Sequence, residues 1–212
     1  MTKEIRAFNF EVRAEQNEEH GHFLTGQPIV YNERTDLEWY DEIIDDGALA
    51  ETDLRDVRFL INHNTDMIPL ARSRNNNANS TMQMQVVPGA GMSIRVDLDT
   101  ENNAEAKSLY SAVNRGDISG MCFMFVVDSH TWEDLESEHP TRHIRSISKV
   151  FEVSAVTFPA YEATSINARG LSDALESAKA SLESAKAEQR AIERKKQKLR
   201  ILMEVKTWNS QA

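Results

Sequence analysis

Residues 144–158 read Ile-Arg-Ser-Ile-Ser-Lys-Val-Phe-Glu-Val-Ser-Ala-Val-Thr-Phe, and this stretch indicates the fold more clearly than any other. β-branched and aromatic residues fill the segment, which is typical of a strand in a protein core. Residues 121–127 have the same character. The sequence therefore predicts two core strands in the second half of a β-rich body.

Six segments upstream of these two also have strand-like patterns: residues 5–14, 22–31, 57–61, 68–72, 82–87 and 92–98. The turn sequence Pro88-Gly89-Ala90-Gly91 joins the last two segments in a hairpin, and the first two segments form another. A helix is predicted from its N-cap Thr100 to Gly116, and a short one at residues 48–54. This pattern favours a mainly β (α+β) body, a closed or nearly closed antiparallel β-barrel with flanking helices, over a doubly wound α/β sheet.

The sequence period changes after Gly170. One seven-residue series holds Leu175, Leu182, Gln189 and Lys196, and a second, three positions later, holds Ala178, Ala185, Ile192 and Leu199. These are the a and d positions of a coiled coil, although polar residues in the first series and small alanines in the second weaken the seam. A single amphipathic helix lying on the body explains the pattern equally well. We therefore predict a β-barrel domain at residues 1–170 and a helical, coiled-coil-like tail at residues 171–212.

Charge is distributed unequally between these two parts. Residues 1–170 hold 15 Lys and Arg against 28 Asp and Glu, whereas residues 171–212 hold 9 against 6. Nucleic-acid affinity depends on neutralising phosphates with cations, so the acidic body argues against nucleic-acid binding. Basic residues are concentrated within residues 190–200, which is typical of a solvated helix face and also suits an acidic protein partner.

Composition excludes several further classes. With 40% hydrophobic and 27% charged residues, 8 Gly and 5 Pro, the chain is neither collagen-like nor wholly disordered. No apolar run reaches the roughly 20 residues that span a bilayer, and the N-terminus lacks an apolar signal segment. We therefore expect a cytoplasmic protein that does not bind membranes. The single cysteine, Cys122, excludes an internal disulfide and a cysteine-based zinc cluster.

Motifs for common cofactors are missing from the sequence, which has no Gly-rich phosphate loop, dinucleotide fingerprint or paired metalloprotease histidines. His20 and His22 form one candidate metal-binding pair, and His139 and His143 form another. Neither pair is accompanied by a third ligand at a recognisable spacing. We therefore expect no metal and no cofactor.

Three other residues suggest nucleophilic catalysis when they are taken together. By itself, His63 is explained as a turn residue at the end of an apolar strand, and Cys122 as a buried core thiol. Glu152 is the one acid within residues 149–156, and a buried carboxylate needs a partner such as an imidazole. A thiol, an imidazole that takes its proton and a carboxylate that orients the imidazole can cleave amides or esters. Spacing along the sequence leaves both explanations open.

The stretches that contain these residues resemble the motifs of one known family. They are Phe59-Leu60-Ile61-Asn62-His63-Asn64, then Arg115-Gly116-Asp117-Ile118-Ser119-Gly120-Met121-Cys122-Phe123-Met124-Phe125, then Phe151-Glu152-Val153-Ser154-Ala155-Val156-Thr157-Phe158-Pro159-Ala160-Tyr161. In this order, over nearly all of residues 8–169, the chain resembles the prohead (procapsid maturation) proteases of tailed bacteriophages. That family is related to the herpesvirus assemblin proteases.

The resemblance implies a fold, an activity and a site. The fold is an assemblin-like, mostly antiparallel β-barrel with surrounding helices. The activity is that of an endopeptidase inside the procapsid, in the host cell cytoplasm, which removes scaffold, trims the major capsid protein and cleaves itself. The portal is a further candidate partner, and analogy with assemblin-like enzymes suggests a homodimer. His63 falls on the histidine of the family's Asn-His motif, and Glu152 falls on the glutamate of its Glu-Val-Ser motif.

Position 122 departs from the family pattern, which has a nucleophilic serine in Gly-Met-Ser-Phe. Cys122 either acts as the nucleophile, since a thiol ionises more readily than a hydroxyl, or marks an enzyme that has lost its activity. Ser119 is a less favoured substitute, because an odd-numbered shift along a strand points a side chain to the opposite face. Arg142 and Arg145 are candidates for the oxyanion hole only because they lie upstream of Glu152 in the same region, and a role as charge partners for an acidic surface explains them better.

We therefore expect a procapsid maturation protease in which His63 is the base, Cys122 the nucleophile and Glu152 the residue that orients the histidine. The alternative is a catalytically inactive capsid-assembly protein with the same fold. An unrelated β-barrel binding module would require the three motifs to coincide by chance.

Overall fold

The computed structural model describes residues 3–8, 12–157 and 168–209. Within these ranges the elements in chain order are β1 (Lys3–Phe8), β2 (Val12–Asn17), β3 (Gly21–Val30), β4 (Arg34–Asp36), β5 (Asp41–Ile44), β6 (Val57–Ile61), β7 (Ala71–Ser73), β8 (Met82–Val87), β9 (Gly91–Leu98), α1 (Ala104–Arg115), β10 (Gly120–Glu133), β11 (Thr141–Val156) and α2 (Ala168–Asn209). Residues 9–11 of the predicted first strand and residues 158–161 of the third motif lie outside the described residues.

Strand β11 organises the larger sheet, because it is 16 residues long and pairs along both edges. β10 runs antiparallel along one edge, and β1 continues the sheet beyond β10. Along the other edge, β5 pairs with residues 141–144 of β11 and β6 pairs with residues 152–155, both in parallel orientation. β4 and β7 extend the sheet from β5 and β6.

The smaller sheet is antiparallel, with its strands in the order β2-β3-β9-β8. The predicted hairpin of β8 with β9 is confirmed. The other predicted hairpin, residues 5–14 with 22–31, is met only in part: β2 pairs with β3, but residues 5–8 belong to β1, which pairs with β10 in the larger sheet. Gly91 closes the hairpin of β8 with β9 with a φ of 122°, and a Cβ atom at this position would lie 2.1 Å from the backbone oxygen of Ile29. Only glycine fits such a close approach between two strands.

One hydrophobic core joins the two sheets. Its buried side chains include Phe59, Phe123 and Val153 of the larger sheet and Leu24, Met92 and Val96 of the smaller one. Helix α1 adds Leu109 and Val113 to the same core. The helix begins after the N-cap Asn103, later than predicted, and ends at the predicted Gly116 in the left-handed conformation.

The prediction of a closed antiparallel barrel was wrong, because neither sheet closes on itself within the described residues. β11 is long enough to take two parallel strands, one after the other, on the same edge, so the larger sheet is mixed and branched. The pattern of strand-forming residues predicts a strand but neither its partner nor its direction. The mainly β class is confirmed, whereas the helix predicted at residues 48–54 is replaced by turns and a short bridge.

Helix α2 contains 42 residues and contacts the body near its beginning. Ala178 is fully buried against Leu37 and Tyr40, and Trp132 Nε1 donates a hydrogen bond of 3.1 Å to Ser181 Oγ. Residues 190–201 are exposed. The predicted pairing as a coiled coil and the division into two domains stay predictions. Neither described helix is long and apolar enough to cross a membrane.

A group of four buried charges, called here the ion cluster, lies beside the contact between α2 and the body. Its members are Glu4, Arg6, Glu42 and Arg142. Each arginine contacts both glutamates, and Tyr40 Oη lies 3.4 Å from Arg6 Nη2. Two positive and two negative charges balance within the cluster. Burial by itself would raise the pKa of Glu4, but the two arginines outweigh it and hold that pKa below its ordinary value.

Candidate active site

His63 lies in a tight turn directly after β6. Asn62 and His63 have φ values of 51° and 55°, and the Asn64 N–H donates to the Ile61 oxygen at 3.0 Å. Two central residues with positive φ are typical of a type I′ turn, and asparagine and histidine tolerate this conformation better than most residues. The turn therefore projects the histidine at the end of a core strand.

Side-chain bonds of Asn62 hold this turn against the end of β11. Its Nδ2 donates to Thr157 Oγ1 at 3.1 Å, and its Oδ1 accepts from the Thr157 N–H at 2.9 Å. The Asn62 N–H also donates to the Ala155 oxygen at 3.0 Å. These three bonds fix where the backbone of His63 sits relative to β11.

Cys122 lies on β10 and is fully buried. In the sheet it is paired with Ala7 of β1 on one side and with Ser154 of β11 on the other. Directly paired residues of antiparallel strands point to the same face, and so do residues two apart on one strand. Cys122, Ser154 and Glu152 therefore share one face of the larger sheet.

Glu152 is only 3% exposed, so its carboxylate needs hydrogen-bond partners to offset the cost of burial. Its Oε1 lies 2.5 Å from His63 Nδ1, and its Oε2 accepts a bond of 2.5 Å from Ser154 Oγ. Ser154 Oγ in turn accepts a bond of 3.2 Å from the His63 N–H. The buried carboxylate of Glu152 therefore has the imidazole of His63 and the hydroxyl of Ser154 as its partners.

The imidazole of His63 lies between the carboxylate and the thiol. Nδ1 contacts Glu152, and the opposite ring nitrogen, Nε2, contacts Cys122 Sγ. The structure thus brings together all three candidate residues, although Cys122 and Glu152 lie 59 and 89 positions from His63 along the chain. An imidazole in this position can take a proton from the thiol while the carboxylate stabilises its charged form.

Burial and, second to it, the negative charge of Glu152 raise the pKa of the Cys122 thiol well above its ordinary value. A backbone hydrogen bond from Phe123 and the charge of Arg6 offset only part of this increase. The resting thiol is therefore protonated at neutral pH. This differs from cysteines that are activated as a pre-formed thiolate by a neighbouring cation.

The other sequence candidates lie away from these three side chains. Ser119 is exposed and precedes β10. Arg142 belongs to the ion cluster, and Arg145 bonds to Thr131 and pairs with Asp45. Charge pairing therefore accounts for both arginines, but the expected surface setting holds for Arg145 alone, because Arg142 and its partners are buried.

Ser154 is the site residue that the sequence argument missed, although a signal was present. It follows Glu152 by two positions in a strand, so the two side chains were bound to share a face. Its hydroxyl contacts both the carboxylate and the backbone of the histidine turn.

The two histidine pairs considered as metal ligands do not converge. His20 contacts Arg95, His22 contacts Thr100, and His143 contacts Asp45 and Glu133. Among the described residues, one group has the arrangement of metal ligands, Asp36, Asp41 and His139, whose ligand atoms lie within 4.8 Å of one another. Arg34 Nη1 lies 2.5 Å from Asp41 and already neutralises part of its charge.

Comparison with known sequences gives the same family as the motifs. A family model described as caudovirus prohead serine protease matches residues 8–178, which include His63, Cys122 and Glu152. The chain therefore belongs to the prohead serine protease family of tailed bacteriophages. No curated protein and no solved structure matches the chain significantly. Membership of a peptidase family supports a protease and, with the procapsid as its setting, a role in capsid maturation.

Proposed function

We propose that this chain is an active procapsid maturation endopeptidase whose nucleophile is the thiol of Cys122. One observation carries the proposal, the position of the His63 ring between Cys122 Sγ and Glu152. Family membership supplies the reaction class, and the side-chain contacts supply the roles.

The reaction begins from a protonated thiol. His63 Nε2 takes the thiol proton as Sγ attacks the carbonyl carbon of the scissile amide, which gives a tetrahedral intermediate. Glu152 keeps Nδ1 protonated and stabilises the imidazolium. The imidazolium then donates its proton to the departing amine, the C–N bond breaks and a thioester remains. Water, deprotonated by the same histidine, hydrolyses the thioester and regenerates the thiol.

The raised thiol pKa makes His63 essential to the first step. Because little thiolate exists at rest, proton transfer must accompany attack, as it does for a serine nucleophile. This requirement explains how cysteine can occupy the family's serine position while the histidine and the carboxylate stay the same. It also predicts that serine works at position 122.

The proposed substrates are the major capsid protein, the scaffold and the protease chain itself, and the portal is a further candidate. The reaction takes place inside the procapsid in the infected cell. A homodimer is proposed by analogy with assemblin-like enzymes. No cofactor is needed for this chemistry, since the three side chains supply nucleophile, base and orienting acid.

A second candidate function is a capsid-assembly protein without catalysis. It is favoured by the full burial of Cys122 and by the raised pKa of its thiol, both of which reduce reactivity. The two functions make opposite predictions for substitutions at position 122.

Mass spectrometry of the purified chain and of co-expressed capsid protein over time separates the two functions. We expect cleavage by the wild type, none by Cys122→Ala, and at least partial cleavage by Cys122→Ser. Glu152→Gln should slow cleavage by about 100-fold, within the usual range for acid–base catalysis. Ser119→Ala is the matched control and should cleave normally. Cleavage by Cys122→Ser but not by the wild type would establish the assembly function for this chain.

A further inference from the structure

A groove borders the histidine turn and has no part in the proton transfers described above. One wall comes from the turn and the segment after it, including Ile61 and Met67, and the other from α1, including Ser108 and Ala112. Its volume is about 550 Å³, within the range of about 300–1,000 Å³ that is usual for ligand sites. The groove can therefore hold one or more side chains of a bound polypeptide.

The groove adjoins the candidate active site through the histidine turn. Asn62 and Asn64, the neighbours of His63 in the turn, both line it. Ile118 lines it as well, and this residue lies just before β10, the strand that carries Cys122. A substrate in extended form advances about 3.3 Å per residue and points successive side chains to opposite sides. With its scissile carbonyl at Cys122, a substrate therefore places a nearby side chain beside the turn.

The lining of the groove selects for apolar side chains. Ile61, Met67, Leu109, Ala112 and Ile118 contribute aliphatic surface. Glu105 is the one charged residue among those that line the groove, and its negative charge opposes acidic substrate residues.

We propose that this groove is a specificity pocket, which takes an apolar side chain of the substrate near the scissile bond and rejects aspartate and glutamate. The proposal rests on the proposed endopeptidase function and adds the class of substrate. Ser108 is the position that tests it best, because it is exposed on α1 and lines the groove. Ser111 is a matched control, since it is exposed on the same helix and does not line the groove.

The first experiment maps cleavage sites in a mixed peptide library by mass spectrometry. We expect the wild type and Ser111→Phe to select an apolar residue at one fixed position within about three residues of the cut bond. Ser108→Phe fills the groove, so the preference at that position should change to glycine, alanine or serine. For a substrate with leucine there, KM should increase by about 10-fold or more. An unchanged preference in a cleaving Ser108→Phe variant would overturn the proposal.

A binding measurement tests the groove without catalysis, so that its failure is distinguishable from failure of the endopeptidase function. In a Cys122→Ala background, an environment-sensitive fluorophore is attached at Ser108→Cys or, as the control, at Ser111→Cys. Random hexapeptides rich in Leu, Ile and Phe should change the emission at position 108 only, and a matched library rich in Asp and Glu should not. An equal response to both libraries would contradict the pocket, whatever the wild type cleaves.

Discussion

The thiol of Cys122 donates a hydrogen bond to the backbone oxygen of Arg6, which lies 2.7 Å from Sγ. A thiol has one proton, so donation to this oxygen competes with donation to the nearby Nε2 of His63. This contact favours the protonated form of the thiol. It also links the candidate nucleophile to β1, the strand that carries two members of the ion cluster.

Alkylation of Cys122 should therefore be slow near neutral pH and should become faster as pH rises. A raised pKa means that, at any pH below it, the folded chain has less thiolate than the unfolded chain. With iodoacetamide at about pH 8, we expect the folded protein to react about 100-fold more slowly than the protein in guanidinium. Mass spectrometry of timed samples measures both rates.

Glu152→Gln is the variant that isolates the electrostatic part of this effect. It removes a charge that raises the thiol pKa, so alkylation at a given pH should be faster than in the wild type. Glu133→Gln, at an exposed position, should leave the rate unchanged. An alkylation rate of the wild type that is independent of pH between about 7 and 10 would contradict a raised pKa of the Cys122 thiol.

Ser154→Ala should reduce both stability and activity. It removes the hydroxyl that accepts from the His63 N–H and donates to Glu152. Leaving a buried polar group unpaired lowers the free energy of unfolding by about 1–3 kcal/mol. Because the variant keeps the side chains of His63, Cys122 and Glu152, we expect a decrease in kcat of about 10-fold rather than complete loss. Urea unfolding and the pH profile of kcat measure the two effects.

The pH profile distinguishes a positioning role from a purely structural one. Loss of the Ser154 hydroxyl changes the hydrogen bonding of Glu152 and of the His63 backbone, so the pH profile of kcat should change. Ser146→Ala is the control, since Ser146 lies on the same strand and its hydroxyl bonds to Ser129 and Asp128, outside the candidate site. A Ser154→Ala variant that is less stable, with an unchanged profile and kcat, would show that the hydroxyl only supports the fold.

Arg6→Met should strongly destabilise the body. It leaves Glu4 and Glu42 with one arginine between them, and breaking a buried ion pair costs about 3–5 kcal/mol. Arg34→Met removes an exposed partner of Asp41 and should cost at most about 1 kcal/mol. Urea unfolding at neutral pH measures both values. Similar losses of stability in the two variants would show that burial of the ion cluster adds nothing to the free energy of unfolding.

The same cluster should make the fold sensitive to acid. The pKa of Glu4 is lowered in the folded chain, so its contribution to stability is complete above the ordinary glutamate pKa. This contribution is lost as pH falls through the lowered value. In Glu4→Gln, the decrease in stability between about pH 5 and 3 should be smaller than in the wild type, as measured by urea unfolding at each pH.

Ala178→Glu should detach the beginning of α2 from the body. Ala178 is fully buried against Leu37 and Tyr40, and a glutamate there would bury an unpaired charge. The indole of Trp132, which bonds to Ser181, should become more exposed, and its fluorescence should shift to longer wavelength. Ala191→Glu, at an exposed position of the same helix, is the control. Equal spectra for the two variants would contradict docking through Ala178.

Local features of the fold could be predicted from the sequence, whereas pairings between distant segments could not. β6, β8, β9 and the core part of β10 and β11 follow from runs of apolar and β-branched residues, and α1 ends at the expected glycine. Pairing of β5 and β6 with β11 joins segments about a hundred residues apart, and no local pattern encodes it. The barrel prediction failed for this reason.

The candidate site also combines features that the sequence predicts with contacts that it does not. The acid inside a core strand indicated that Glu152 needed a partner, because burial of an unpaired carboxylate is costly. The resemblance of three motifs, rather than spacing, pointed to His63 and Cys122 as its companions. The bonds of Ser154 and of Asn62 depend on how the histidine turn folds back against β11, which only the three-dimensional arrangement provides.

The long strand β11 also determines when the candidate site can assemble during synthesis of the chain. It supplies Glu152 and pairs with β10, and it is the last strand to be synthesised among those that the structure describes. Contacts between segments so far apart in sequence form slowly, since their loop-closure entropy must be met first. A nascent chain that ends before β11 has both the thiol and the imidazole but no carboxylate to orient the imidazole. In the proposed mechanism, cleavage therefore waits until β11 has emerged from the ribosome.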